Sequence, residues 1–269
     1  MRTGTWLADL AHLDAPGHPN PTGLSLHGVD LGSTLFRRDS RLDLREHNLK
    51  YKFPESWNWS NSFDLVHQRL LVWGIRSEEW EAVLDHLVDV VKPGGYIQLV
   101  EAEWVLPSYS EEQPQQRKLG LVQSWSTESA GMDVHIWKRL PSLLKARGLT
   151  TIREESFNLG YGATATREQD RVWTAELLPQ SFRHLARRIP SKSSACIDNG
   201  SADRSFVECG IPGVAADAEE YMSFLEQLVD EMKSVGYNPQ LRWLTAQKPA
   251  ASGSVSYTHL RAHETDSYL

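Results

Sequence analysis

The sequence is poor in cysteine and has no surplus of basic residues. Only two cysteines, Cys196 and Cys209, occur in 269 residues. We therefore expect no disulfide framework and a reducing compartment, the cytoplasm or the nucleus. Lys and Arg number 28 against 35 Asp and Glu, a formal net charge of -7. Because nucleic-acid affinity depends on a surplus of cations, this balance argues against nucleic acid as a partner.

Long apolar runs are also missing. No stretch approaches the roughly 18 apolar residues that a membrane span requires. The first residues, MRTGTWLADL, lack the basic region and the long apolar segment of a signal peptide. We expect no membrane as a partner. Apolar residues still make up 40% of the chain, enough for the core of one α/β domain of this length.

The most informative stretch, from Phe63 to Glu103, predicts a strand, a helix and a second strand. The first strand is a short apolar run that becomes polar at His67. Ser77 is a suitable N-cap, and apolar residues then recur at three- and four-residue steps, the spacing of one helix face. The face consists of Trp80, Val83, Leu84, Leu87, Val88 and Val91. A right-handed βαβ unit in a parallel sheet follows from this order.

The rest of the chain extends this prediction to a doubly wound α/β fold. A strand is expected over Leu24–Leu31, and a last strand over Leu241–Ala246. Between the last two strands, residues 160–236 are predicted to form a mostly helical insertion. Asp217 with Glu220 has the spacing of a capping box at the start of its last helix. The whole domain is expected to span residues 1–249.

The end of the sequence is different in kind. VSYTHLRAHET, at residues 255–265, matches the translation of a DNA-library adapter. We therefore predict that residues 250–269 are a non-native, disordered tail, and the pair His259 and His263 is not considered as a metal site.

Three segments can carry chemistry if they end strands of an open parallel sheet, because such sheets bind ligands at the carboxyl ends of their strands. Gly4 lies at the start of a helix, where backbone N–H groups can meet a carboxylate. Asp30 follows at the end of the next strand, at a spacing typical of an acid that binds ribose hydroxyls. His67 and Gln68 end the strand that begins at Phe63.

In this order the motifs resemble the class I S-adenosylmethionine-dependent methyltransferases, and most strongly a fungal group of small-molecule methyltransferases and regulators of secondary metabolism. The resemblance covers about residues 4–249 and implies a mostly parallel sheet with an antiparallel last strand. The residues that carry it are TGTWLADLA at 3–11, GVDL at 28–31, FDLVHQRLL at 63–71 and VKPGGY at 91–96. The last of these, a lysine-proline-glycine-glycine turn into a strand, is its most specific part.

The resemblance implies a cofactor, S-adenosyl-L-methionine, and a small-molecule methyl acceptor, for instance a secondary metabolite. It places Gly4 at the methionine part of the cofactor and Asp30, followed by Leu31, at the ribose. It places Asn48 and Leu49 beside the adenine, and His67 with Gln68 near the sulfonium. No metal is implied, and no catalytic base can be assigned.

Two departures from the family pattern matter. The family has a buried strand, an acid and a full glycine-rich turn before the position of Gly4, whereas this chain has Met1 and Arg2 there. We therefore expect a truncated methyltransferase that lacks its first strand, a central one, and is weakly active or inactive. Asn48 also stands where the family often has aspartate, a mild change because an amide oxygen can still accept a hydrogen bond.

Several alternatives stay open at this point. The chain could be a non-catalytic regulatory or interaction protein of secondary metabolism with the same fold. A nicotinamide-dependent enzyme is disfavoured, because it predicts three glycines in the first turn and no antiparallel last strand. Glu101 and Glu103 are equally compatible with a substrate pocket and with a structural role. His135 and Trp137 could line the substrate side, although core packing is favoured.

Overall fold

The computed structural model of the protein describes residues 4–11, 24–189 and 210–250. Its six strands form a two-stranded sheet and a four-stranded sheet. The strands are β1 (Leu26–Asp30), β2 (Leu42–Glu46), β3 (Phe63–Arg69), β4 (Val91–Glu103), β5 (Thr150–Asn158) and β6 (Gln240–Gln247). The α-helices are α1 (Thr5–Ala11), α2 (Trp80–Val90), α3 (Pro114–Glu128), α4 (Leu140–Ala146), α5 (Arg171–Phe182) and α6 (Ala218–Ser234).

The sheets are mixed in direction. Strand β1 pairs in parallel with β2, and β3 in parallel with β4. The larger sheet has the order β3-β4-β6-β5, in which β6 runs antiparallel to both of its neighbours. The predicted α/β class and the antiparallel last strand are thereby confirmed.

The stretch from Phe63 to Glu103 forms the predicted strand, helix and strand as β3, α2 and β4. Trp80, Val83, Leu84 and Leu87 of the apolar face are buried. Our assignment of Ser77 as the N-cap is wrong, because the helix begins at Trp80 after Glu79. The Ser77 hydroxyl instead accepts a hydrogen bond of 3.1 Å from Arg139.

Helix α6 begins as its sequence predicts. The side chain of Asp217 accepts a hydrogen bond of 2.8 Å from the backbone N–H of Glu220. Glu220 in turn accepts one of 2.7 Å from the N–H of Ala216, just before the cap. These bonds satisfy backbone donors that the first turn of a helix leaves unpaired.

One hydrophobic core joins the larger sheet to the helices around it. It includes Ile97 and Leu99 from β4, Leu244 and Ala246 from β6, and side chains of α2 to α6. Helices α5 and α6 lie between β5 and β6 in sequence, where the insertion is predicted, and they pack against each other. The predicted boundaries at 160 and 236 remain predictions, and the predicted tail lies outside the described residues except for Ala250.

The smaller sheet is much less buried than the larger one. Every residue of β1 and β2 is partly or fully exposed. Among the described residues β1 pairs only with β2, and β3 pairs only with β4. Side chains connect this part of the chain to the larger sheet. The rings of His27 in β1 and Phe63 in β3 lie 5.4 Å apart, and those of Trp6 in α1 and His67 in β3 lie 4.0 Å apart.

No helix in the described part of the chain is both long and apolar enough to cross a membrane.

Alanine substitutions at two glycines with positive φ should reduce the stability of the fold by different amounts. At Gly162, where φ is +62°, an added Cβ would lie 1.9 Å from the carbonyl oxygen of Met232 in α6. At Gly148, where φ is +76°, no atom lies within 4 Å. We expect Gly148→Ala to lower the free energy of unfolding by about 1 kcal/mol, because the backbone is strained. We expect Gly162→Ala to lower it by about 3 kcal/mol or more, because α6 must also move. Urea unfolding of both variants measures this, and equal losses would contradict the close packing at Gly162.

Candidate functional site

Four of the predicted cofactor residues, Asp30, Leu31, Asn48 and Leu49, lie at or just after the carboxyl ends of β1 and β2. Asp30 is the last residue of β1, and Glu46 is the last of β2. The backbone N–H of His47 donates a hydrogen bond of 2.8 Å to the carbonyl oxygen of Asp30. The parallel pairing of β1 and β2 therefore brings the Asp30 segment and the Asn48 segment to one edge.

Asp30 presents its carboxylate at an exposed strand end. One of its oxygens accepts a hydrogen bond of 2.7 Å from the N–H of Leu31. Leu31 itself is 71% exposed. A carboxylate of this kind can accept hydrogen bonds from vicinal hydroxyl groups. Glu46 lies nearby and accepts a bond of 2.7 Å from the N–H of Ser33. Hydrogen bonding with Ser33, first through its side chain and then through this N–H, lowers the pKa of the Glu46 carboxyl.

Asn48 and Leu49 form a turn that is anchored to α2. The side-chain oxygen of Asn48 accepts a hydrogen bond of 3.1 Å from the N–H of Lys50. His86 of α2 contacts the carbonyl oxygen of Leu49 through its Nδ1 at 2.9 Å. The turn is thus tied to the helix that covers the larger sheet.

An aromatic cluster lies beside this turn. The cluster consists of His27, His47, Phe53, Trp57, Trp59 and Phe63. The guanidinium carbon of Arg45 lies 4.7 Å from the ring centre of Trp57 and 5.0 Å from that of Trp59. Asp43 binds both Arg45 and His27, and its pKa is lowered, first by the bond with Arg45. The cluster holds β2 against the start of β3.

Gly4 precedes α1 in a conformation that suits glycine. Its φ is +87°, and an added Cβ would lie 3.0 Å from a methyl group of Leu44. Its carbonyl oxygen accepts the first helical hydrogen bond, from the N–H of Ala8, at 2.9 Å. Gly4 is therefore held closely against β2, in the smaller sheet.

His67 lies inside β3, not after it, and faces α1. Its ring stacks on that of Trp6 with a centroid distance of 4.0 Å and an angle of 19°. Its Nδ1 lies 2.7 Å from Oε1 of Gln98, so Nδ1 carries the proton in this contact. Burial lowers the pKa of His67, and its Nε2 is buried without a hydrogen-bond partner among the described residues. The imidazole is therefore neutral near pH 7.

Gln68 points to the opposite face of the sheet, as neighbours in a strand do. It is 4% exposed, and its Nε2 donates a hydrogen bond of 2.6 Å to Oε1 of Glu101. The same carboxylate accepts hydrogen bonds from the N–H groups of Leu71 and Val72, at 2.7 and 3.4 Å. Burial raises the pKa of Glu101 to about 7. The structure thus places the neighbours His67 and Gln68 in different surroundings.

Glu103, by contrast, forms an ion pair. Arg242 donates to its carboxylate from Nε at 3.1 Å and from Nη2 at 2.5 Å. The guanidinium of Arg242 also lies 4.5 Å from the ring centre of Trp137. Next to this stack, the backbone N–H of His135 donates to Asp133 at 2.9 Å. These contacts favour a structural role for Glu103, Trp137 and His135 over a role in the substrate pocket.

Two contacts at this edge could not be assigned from the sequence. Trp6 belongs to a motif with the family pattern, but its stacking on His67 joins elements far apart in the chain. The bond between Gln68 and Glu101 joins residues 33 positions apart. The only sequence feature that could have indicated this bond is the alternation of the two strands, which places Gln68 and Glu101 on buried faces.

Two grooves among the described residues are lined by other residues than Asp30 and Asn48. One is between α5 and α6, lined by Glu176, Pro179, Arg183, Leu225 and Asp230. The other is on the β4-β6-β5 surface, beside Gln98, Phe157 and Trp243. The described residues contain no group of three or more His, Cys, Asp or Glu placed to hold a metal ion.

Comparison with known proteins finds fungal relatives. The chain is 28% identical over 193 residues to N-methyltransferase tcpN of Claviceps purpurea, which is 70% of this chain and 66% of the relative. It is 36% identical over 102 residues to N-methyltransferase verN of Clonostachys rogersoniana, 36% of this chain and 33% of the relative. It is 29% identical over 168 residues to N-methyltransferase gliN of Aspergillus fumigatus, 60% of this chain and 55% of the relative. The chain thus spans less than two thirds of the length of each of them.

No family model matches the chain. Among solved structures, phosphoethanolamine N-methyltransferase 2 of Haemonchus contortus with bound S-adenosyl-L-methionine aligns with a TM-score of 0.44 at 15% identity, over 84% of this chain and 44% of that one. The [4+2]-cyclase SpnF aligns with a TM-score of 0.45 at 13% identity, over 92% of this chain and 72% of that one.

The buried carboxyl of Glu101 predicts a pH-dependent stability. Its pKa is raised from the ordinary 4.5 to about 7, so the folded state binds the proton more tightly than the unfolded state. This contribution to the free energy of unfolding is complete below pH 4.5 and is lost as the pH rises through 7, by at most about 3 kcal/mol. Urea unfolding at a series of pH values should show that Glu101→Gln gains stability relative to the unsubstituted protein over this window. The control Glu103→Gln should keep the original slope, and a Glu101→Gln protein with that slope would contradict the assignment.

Proposed function

We propose that this chain, which belongs to the class I S-adenosylmethionine-dependent methyltransferases, binds S-adenosyl-L-methionine and transfers its methyl group to a small molecule. The observation that carries the proposal is the parallel pairing of β1 and β2, which brings Asp30 and Asn48 to one edge. That edge is where open α/β sheets bind nucleotide-like ligands.

The side chains at this edge fit the chemical groups of the cofactor. The exposed carboxylate of Asp30 can accept both ribose hydroxyls, and the amide of Asn48 can bond to the edge of an adenine ring. Gly4 lets the backbone turn into α1 beside the methionine part, because an L side chain would be strained at its φ of +87° and would press on Leu44. Burial keeps His67 neutral, so the imidazole adds no positive charge that would repel a sulfonium.

The cofactor, when bound, supplies an activated methyl group on a sulfonium. The chain then has to bind and orient donor and acceptor in line and exclude water. The ring stack of Trp6 and His67 and the partly buried turn after β3 would form the apolar wall that excludes water on this side.

Nitrogen is the atom that we propose as the methyl acceptor. The fungal relatives named above all carry the name N-methyltransferase, and this supports nitrogen over oxygen or carbon. The net charge of -7 is compatible with an amine or another electron-rich small molecule approaching the site.

We further infer that residues 1–249 form one domain and that the helices of residues 160–236 cover the acceptor side. The shared core of α5, α6 and the larger sheet supports this arrangement. Residues 250–269 would remain outside the domain.

The proposal is tested by calorimetric titration with S-adenosylhomocysteine. Two proteins are needed: the chain as printed, and a version extended at its amino end with an apolar strand and a glycine-rich turn. Binding by either, followed by methyl transfer to a nitrogen acceptor, supports the proposal. The absence of binding by both at millimolar ligand would contradict it. Binding without transfer to any acceptor would favour the non-catalytic, regulatory alternative.

Substitution of Asp30 provides a sharper measurement. We expect Asp30→Ala to weaken S-adenosylhomocysteine binding at least about tenfold, because charge-assisted hydrogen bonds to the ribose are lost. The matched control is Asp64→Ala near the other end of β3, where the carboxylate pairs with Lys92. Its affinity should stay within about twofold of the starting protein. Equal effects of the two substitutions would exclude Asp30 from the binding site.

A further inference from the structure

Glu101 is a carboxyl group in an unusual place. It is 1% exposed and lies near the end of β4, on the face that also carries Ile97 and Leu99. Among the described residues no Lys, Arg or His forms an ion pair with it, whereas Glu103, two residues further, is paired with Arg242. A buried carboxyl without a cation lowers the stability of a fold, and an apolar side chain would suit this position better.

The hydrogen bonds of Glu101 all come from one short segment. Oε1 accepts from Gln68 and from the N–H of Leu71, and Oε2 accepts from the N–H of Val72. This segment is the end of β3 and the turn that follows it. No other part of the described chain donates a hydrogen bond to this carboxyl, so its polar contacts serve only to hold this turn.

The turn has an unfavourable backbone conformation. Leu70 has a φ of +55°, in the left-handed region that residues with a branched side chain rarely adopt. Such a conformation costs on the order of 1–3 kcal/mol and persists only where the surroundings hold it. Glu101 and the bond from the N–H of Leu70 to the carbonyl oxygen of Val100 provide that hold.

The strained turn lies at the carboxyl end of β3, three residues after His67. We propose that Glu101 is a positioning residue of the methyltransferase site, which fixes the turn at residues 70–72 where donor and acceptor would meet. The inference rests on the proposed function, and it adds a role for a residue that does not itself touch the ligand. It explains why a strand end of the core carries a carboxyl group in place of an apolar side chain.

A graded series of substitutions tests the inference. Glu101→Met keeps the volume but removes both acceptors, so Gln68 and two backbone N–H groups lose their partner. Glu101→Gln keeps one acceptor oxygen for Leu71. The matched control is Glu103→Gln, on the same face of β4, which has no bond to the turn. Each protein is measured by thermal unfolding, by hydrogen exchange of the Leu71 and Val72 amides, and by titration with S-adenosylhomocysteine well below its unfolding temperature.

We expect Glu101→Met to bind S-adenosylhomocysteine at least tenfold more weakly. The amides of Leu71 and Val72 should exchange about tenfold faster. Glu101→Gln should recover most of both, and Glu103→Gln should change neither. A purely structural role would lower the unfolding temperature and leave the affinity of the folded protein unchanged, and that result would overturn the inference. If Glu101→Met does not fold, Glu101→Asp replaces it, because it keeps the charge but is one methylene too short.

Ligand titration of the unsubstituted, extended and Glu101→Met proteins separates this inference from the proposed function. If the unsubstituted and extended proteins do not bind the ligand, the proposed function fails, and the positioning role fails with it even where exchange shows that Glu101 holds the turn. If they bind and Glu101→Met binds equally well, only the positioning role is wrong.

Discussion

The pairing of β3 with β4 is the constraint on which the rest of the structure depends. It places His67 opposite Gln98 and Gln68 opposite Leu99, and the contacts of these two side chains follow from this register. A shift of one residue would turn His67 into the core and Gln68 toward α1. The apolar face of α2 fixes the register from one side, because Trp80, Val83 and Leu84 pack onto the same sheet face as Ile97 and Leu99.

The division into two sheets has consequences for the candidate site. Asp30 and Asn48 belong to the smaller, poorly buried sheet, whereas His67 belongs to the larger one. In the described residues the two parts meet through side chains, including the stack of Trp6 on His67 and the aromatic cluster around Trp59. Stacked rings contribute roughly 0.5–1.5 kcal/mol each and tolerate small displacements, unlike a ladder of backbone hydrogen bonds. The geometry between the positions proposed for the ribose and the sulfonium therefore depends on these rings.

Burial shifts the pKa values of two groups on opposite faces of the larger sheet in opposite directions. On one face it lowers the pKa of His67 and leaves the ring neutral, and on the other it raises the pKa of Glu101. Desolvation acts first in both cases, because the charged form is the one that burial disfavours. Both groups are thereby brought toward the neutral state beside a position proposed for a cationic sulfonium. The described ion pairs at the far end of the sheet, such as Asp64 with Lys92, are exposed and have no such role.

The sequence by itself determined the local elements and their order. The apolar spacing of α2 and the cap of α6 at Asp217 follow from short-range patterns, since period and capping depend on neighbouring residues. The antiparallel direction of β6 was implied by the resemblance, because strand pairing joins segments that are far apart in the chain. The resemblance pointed to Asp30 and Asn48, and the pairing of β1 and β2 explains their proximity. Only the tertiary structure decided that His67 stacks on Trp6, that Gln68 binds Glu101 and that Ser77 contacts Arg139. These contacts join residues from 33 to 62 positions apart, and no local pattern specifies which distant side chain fills a given place.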